Sequence, residues 1–331
     1  MRARGRAGSW RWLWWLVAAA LATAALLVAT SRRGELKHAA DLLVHVNPGK
    51  VSVAVLAEAA AFVCLAAVPR WLLAAGGLGV PLADMVRLMM AANAMAGVFP
   101  GGAAFSAAWL YRQLRRRGAG QALTAAALAS AGGLSALGLL VVIVLGALTA
   151  GSRGPGAAML RVAAGLVLAV LVALLVLRSA SVRAALGRAW ARVRARYGRV
   201  QEADAELRSV LKQARSVQPG VRPWLRPGAL ALLNWVFDAG CLVASVWALG
   251  IPVPWQGVLL AYGLVQIPGS IRLTPGGIGI VEAGLTGLLV VYGLTPGQAF
   301  AATLLYRIWN YWLPQPIGWG CWLGVMLRER R

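Results

Sequence analysis

The stretch Arg272-Leu273-Thr274-Pro275-Gly276-Gly277-Ile278-Gly279-Ile280-Val281-Glu282 breaks an apolar run that extends from Val253 to Tyr292. Proline cannot continue a helix, and two glycines let the backbone turn with exposed N–H groups. A new helix starts just beyond, with its positive dipole end facing the break. The later arm, Ile278–Tyr292, reaches only about 22 Å as a helix, less than the ~30 Å core of a bilayer. Inside a membrane, irregular backbone survives only where protein or a water-filled cavity satisfies its polar groups. The stretch therefore predicts a broken, re-entrant helical hairpin.

An earlier stretch carries the same signals in the same order. Leu78-Gly79-Val80-Pro81, Pro100-Gly101-Gly102 and Gly120-Gln121-Ala122 return as Leu249-Gly250-Ile251-Pro252, Pro275-Gly276-Gly277 and Gly297-Gln298-Ala299, at offsets of 171, 175 and 177 positions. Between Arg70 and Arg112 the chain has Leu82–Phe99, the first break, and then only Ala103–Tyr111, about 13 Å of helix. This reads as a second hairpin and an internal repeat.

Composition names the solvent. The 331 residues are 60% hydrophobic and 13% charged, against about 25% charged in soluble domains. Mean hydropathy is +0.70. Too few polar side chains exist to coat a soluble globule of this size, so lipid covers much of the surface. An ordinary soluble enzyme, a disordered chain and a secreted disulfide scaffold are excluded. Six apolar segments are long enough to cross a bilayer: 12–30, 51–69, 121–149, 159–178, 228–249 and 298–325. The first opens with Trp12, Trp14 and Trp15 and reads as an uncleaved anchor rather than a signal peptide.

The net charge of +23 lies between these segments, which argues for membrane topology rather than nucleic acid. The basic start, the Arg115-Arg116-Arg117 run, the connector 179–227 and the basic end (Arg328, Arg330, Arg331) are expected in the cytoplasm. The connectors 150–158 and 250–256 are expected outside. Both termini then face inward, and the halves 12–150 and 159–325 have opposite topology. The predicted fold is an all-α integral membrane protein with about six full transmembrane helices, two broken hairpins and an inverted repeat. The connector 179–227 suits a basic amphipathic helix on an anionic inner leaflet. The connector 31–50, with Leu36, Leu42, Leu43 and Val46, suits a helix on the outer interface.

Short, Gly/Pro-interrupted segments at matching places in inverted halves point to a transporter-type site near the midplane, with both bends opening on one polar chamber. Helix starts and backbone nests bind phosphate. The candidate lipid-phosphate site is Arg272, Pro275, Gly276, Gly277, Glu282 and Arg307. A structural reading stands beside it, in which Arg307 and Glu282 simply pin two helices together. Secondary candidates are Asn93 with Pro100, Gly101 and Gly102, then Arg70, and the mid-span carboxylates Glu58 and Asp238. Those carboxylates could pair with arginine, stay neutral or relay protons. Asp84 and Arg87, three apart, read as a surface pair. Cys64, Cys241 and Cys321 read as small core residues. With two histidines, His38 and His45, no metal site or cofactor is expected. No Gly-x-x-x-x-Gly-Lys-Ser/Thr occurs, so no P-loop motor is expected, and no nucleophile–histidine constellation is visible.

The residues Arg70, Asn93 ahead of Pro100-Gly101-Gly102, Tyr111-Arg112-Gln113-Leu114-Arg115-Arg116-Arg117-Gly118, Pro275-Gly276-Gly277-Ile278-Gly279-Ile280-Val281-Glu282 and Leu304-Leu305-Tyr306-Arg307 together resemble a known family. They look like the standalone, flippase-like relatives of the membrane region of lysylphosphatidylglycerol synthase, over most of 51–325. Many members carry a Gly-Glu pair soon after the first Pro-Gly; here Ala104 and Phe105 stand there, so the two breaks are not equivalent. The resemblance implies a multi-pass protein of the bacterial plasma membrane that moves or presents a lipid between leaflets. In the two-domain synthases this region is held to flip aminoacylated phosphatidylglycerol made by an attached catalytic domain. Such a domain is not expected in this chain, so neither lipid lysylation nor an enzyme is expected. The leading expectation is a translocase for an anionic or phosphate-bearing lipid. The alternative is a non-transporting partner that presents a phospholipid or lipid-linked sugar to a separate glycosyl- or aminoacyl-transferase. A membrane-embedded transferase would need a carboxylate pair facing a pocket, for which Glu58 and Asp238 are the mid-span candidates.

Overall fold

The computed structural model describes residues 33–98, 102–150, 164–165, 222–271 and 274–329. The predicted spans 12–30 and, apart from 164–165, 159–178, the connector 179–227 as far as residue 221, and Pro100, Gly101 and Arg272 lie outside the described residues. Within them the chain is an all-α membrane protein. Its helices are α1 Arg33–Val44, α2 Pro48–Ala75, α3 Leu82–Val98, α4 Gly102–Arg116, α5 Gln121–Ala150, α6 Arg222–Ala248, α7 Val258–Ile271, α8 Ile280–Val291, α9 Pro296–Arg307 and α10 Pro314–Glu329. A 3-10 turn, Pro275–Gly277, separates α7 from α8, and a π-helix, Ile308–Trp312, joins α9 to α10.

Three of these helices, α2, α5 and α6, are long and apolar enough to cross a membrane, and only 33%, 28% and 44% of their apolar windows is buried within the protein. Apolar surface left uncovered to that extent needs lipid as its solvent. Leu56, Leu145, Leu148 and Val236 are among the exposed side chains on these helices. The start of α2 is locally encoded: Pro48 occupies its first turn, and the Asn47 side chain accepts from the Lys50 N–H at 3.1 Å. At its far end Arg70 Nε donates to the Val80 carbonyl at 2.9 Å and holds the turn into α3. The helix buries Ala54, Glu58 and Ala61 at helical spacing, and it packs most extensively on α6. Small side chains permit that closeness. Asn234 of α6 crosses the seam to donate to the Ala61 carbonyl at 3.1 Å.

The element order repeats. A long helix, two short ones around a break and a further long segment form α2–α5 and return from α6 to α10. The packing is exchanged between the halves: α3 lies against α10, and α7 lies against α5. Equivalent glycines make both contacts possible. A Cβ on Gly318 would stand 2.4 Å from the Met90 carbonyl oxygen, and one on Gly146 would stand 2.5 Å from the Leu260 nitrogen. Helices this close need glycine at the crossing.

Two expectations need correction. The later arm of the first hairpin was expected to end at Tyr111, before the arginines. It runs from Gly102 to Arg116, about 22 Å, because arginine is a good helix former and Gln113 and Leu114 are buried beyond it. The segment 298–325, read as one span, is interrupted. Pro314 has no N–H for the α-helical ladder, and Leu313 N–H reaches back five residues to the Ile308 carbonyl at 2.8 Å. The connector 31–50 forms α1, which lies along α9, and its Leu42, Leu43 and Val46 pack on the core of the second half.

Candidate functional site: a polar cavity between the two breaks

A cavity of about 440 Å³ lies between the hairpins and the α2–α6 pair. The first hairpin lends Asn93, Ala96, Ala103 and Ser106 to its wall, and the second lends Gly269, Ser270, Gly276 and Val281. The residues flanking both breaks thus face one space. Gly102 closes the first bend, since a Cβ there would meet the Ala96 carbonyl oxygen at 2.6 Å.

Tyr311, in the π-helix, ties the two bends together. Its hydroxyl donates to the Gly97 carbonyl at 3.1 Å. Gly276, at φ +61, lies against its ring: a Cβ would fall 2.0 Å from Tyr311 Cζ. The Arg307 guanidinium stacks over the same ring at 4.4 Å from the centroid. Arg307 is only 4% exposed. Its Nε donates to Glu282 Oε1 at 2.7 Å and its Nη2 to the Gly276 carbonyl at 2.9 Å. Glu282 Oε2 in turn accepts from the Gly279 N–H at 2.6 Å and caps α8. The N–H groups of Gly277 and Ile278 turn back to the carbonyls of Thr274 and Pro275. The pinning pair foreseen between Arg307 and Glu282 is therefore formed, and this helix start already holds an anion from its own chain.

A second polar cluster adjoins the first. Asp238 of α6 accepts four hydrogen bonds: from the Tyr262 hydroxyl at 2.8 Å, Gln266 Nε2 at 3.1 Å, the Tyr306 hydroxyl at 2.8 Å and Asn310 Nδ2 at 3.0 Å. The same Asn310 Nδ2 lies 3.4 Å from Glu58 Oε1 on α2. Glu58 and Asp238, 180 positions apart in the chain, thus come together and both line the cavity. Four neighbouring residues divide their work. Tyr306 and Asn310 serve Asp238, while Arg307 and Tyr311 serve the second break. A π-turn changes which side chains share a face, and such turns recur at functional sites.

Of the remaining sequence candidates, Asn93 lines the cavity. Arg70 does not; its side chain serves the α2–α3 turn. Asp84 and Arg87 form an exposed ion pair at 2.7 Å. Cys64 and Cys241 are buried and unbridged. No grouping of three His, Cys, Asp or Glu side chains that would hold a metal occurs among the described residues.

Sequence reasoning did not single out Asn310, Tyr311, Tyr262, Gln266 or Tyr306. A signal existed: Tyr262 and Gln266, and again Tyr306 and Asn310, are four apart in apolar segments, which places each pair on one helix face. A smaller apolar cavity of about 220 Å³ lies between α2, α3, α5 and α6. It shares Leu65, Met89, Ser135 and Asn234 with the polar one.

Comparison with known proteins places this architecture. Residues 9–318 match the family described as the lysylphosphatidylglycerol synthase TM region. A UPF0104 membrane protein from Methanothermobacter thermautotrophicus is 29% identical over 105 residues, which make up 31% of this chain and 31% of that protein. The match thus spans about a third of that relative's length.

Proposed function

This chain belongs to the lysylphosphatidylglycerol synthase TM-region family, and on that premise we propose that it is a lipid translocase. It carries an anionic or phosphate-bearing lipid between leaflets of a bacterial plasma membrane, with both termini on the cytoplasmic side. One observation carries the reading: the polar cavity shares its wall with an apolar one. That pairing suits an amphiphile, with a headgroup on one side and an acyl chain on the other, better than a soluble solute. The headgroup lies among Asn93, Asn234 and Ser270, beside the Arg307–Glu282 pair. The acyl tails stay in the apolar pocket and in lipid. Rocking of the two halves exposes the headgroup to each side in turn. With no nucleotide motor in the sequence, net movement follows a gradient or a downstream consumer.

The test is flipping of a headgroup-labelled phospholipid in vesicles that contain only the purified protein. Flipping above that of protein-free vesicles, and its loss in Arg307→Ala with the fold retained, supports the reading. Flipping equal to that of empty vesicles rejects it. A second reading is favoured by one specific feature, the Glu58 and Asp238 carboxyls side by side on the cavity wall. They would suit a membrane-embedded transferase, as acid and base. Vesicles offered a lipid-linked sugar and an acceptor lipid would then yield a new lipid by mass spectrometry without flipping. A protein that does neither alone, but co-purifies with a transferase, is a presenting partner.

A further inference from the structure

Two buried carboxyls share the floor of the cavity, and their surroundings differ sharply. Asp238 is 7% exposed and accepts from four neutral donors, two on each oxygen. Four donors favour the anionic form of a carboxyl and offset part of the cost of burying it. Glu58 is 6% exposed; its Oε1 makes a long contact with Asn310 at 3.4 Å, and its buried Oε2 accepts from no donor. An unpartnered carboxylate oxygen at that depth is costly. The Glu58 carboxyl faces that of Asp238, with the Cys241 thiol beside it. Arg307, the other charged group on the wall among the described residues, is engaged by Glu282. Tyr262 and Tyr306 also face the pair, and both spend their hydroxyl protons on Asp238. Two neighbouring anions with one bridging amide between them have no counter-charge.

We propose that Glu58 is an exchangeable proton site, loaded against the Asp238 anion when the cavity is empty, and that one proton moves per lipid carried. The missing partner of Glu58 Oε2 is a proton on the Glu58 carboxyl. On release, the O–H bond breaks, its electron pair stays on Glu58, and the proton passes to water on the side that the cavity then faces. The uncompensated second anion drives reprotonation or the entry of a counter-charge before the halves can return. The coupling rests on the translocase reading; the proton site does not.

Infrared difference spectroscopy of the purified protein in lipid nanodiscs tests the site without any transport. A carboxylic-acid carbonyl band is expected at neutral pH, absent in Glu58→Gln and present in Asp84→Asn, which alters only an exposed surface carboxyl. A neutral-pH spectrum without such a band, or a band that survives in Glu58→Gln, overturns the proton site. Coupling is tested in vesicles with an imposed pH gradient. One proton per lipid shifts the inner-to-outer lipid ratio at equilibrium about tenfold per pH unit, and Glu58→Gln loses that shift. Wild-type flipping that ignores the gradient overturns the coupling and leaves the translocase standing. An absence of wild-type flipping overturns the translocase, and the coupling with it, while the infrared band still decides the proton site.

Discussion

Replacing Arg307 with methionine removes three interactions at once: the ion pair with Glu282, the hydrogen bond to the Gly276 carbonyl and the stack on Tyr311. Methionine keeps most of the volume, so the loss is mainly electrostatic. Breaking one side of a buried pair costs about 3–5 kcal/mol, because the partner is left uncompensated. Here Glu282 keeps its Gly279 N–H bond and is partly exposed at 15%, so the cost should lie near the lower end, about 3 kcal/mol. Glu282→Gln keeps the helix cap in neutral form and strands the arginine instead. The double variant strands neither group. It should therefore be less destabilised than the sum of the single changes, with an interaction of about 1–3 kcal/mol. The assay is reversible unfolding in mixed micelles, followed by tryptophan fluorescence, for the wild type and the three variants. Additive losses, or an Arg307→Met protein as stable as wild type, would refute the claim that this pair holds α8 to α9. If the double variant recovers stability but not flipping, the guanidinium has a task beyond pinning.

Two further outcomes follow from the packing. Gly146→Val and Gly318→Val should each force a helix crossing apart, α5 from α7 and α10 from α3, and lower stability by more than about 1–3 kcal/mol. An unfolding measurement that finds one of them silent would break the equivalence of the two crossings. Tyr311→Phe removes the bond to the Gly97 carbonyl but keeps the stack on Arg307, so a loss of about 0.5–1.5 kcal/mol is expected. A protease-protection assay should find faster cleavage around the first break, and unchanged protection would deny Tyr311 its bridging role.

Both hairpins were legible because their signal is local. A Pro-Gly-Gly run interrupts a continuous α-helix, because proline lacks the N–H and clashes with the preceding turn while glycine lets the backbone turn away; at the second break only a short 3-10 turn forms. The exchanged packing was legible only as a repeat of residues, since nothing in either half names its partner across the interface. Arg307 and Glu282 were matched on the expectation that opposite charges at bilayer depth seek each other. No such rule joins Glu58 to Asp238: like charges do not advertise a contact, and 180 positions separate them. The role of Asn310 and Tyr311 was hidden for another reason. Their direction depends on a π-turn, which sequence periodicity cannot announce because it shifts the periodicity itself.

The chain alone settled its solvent, its helical class, its two interruptions and its kinship, since each depends on composition or on neighbours a few residues apart. Folding decided which polar side chains share one chamber and which of them already spend their charge on each other. That choice arises from helix crossings at glycine and from a ladder slipped by Pro314. Such contacts join residues far apart in the chain, and their geometry exists only once the helices have packed.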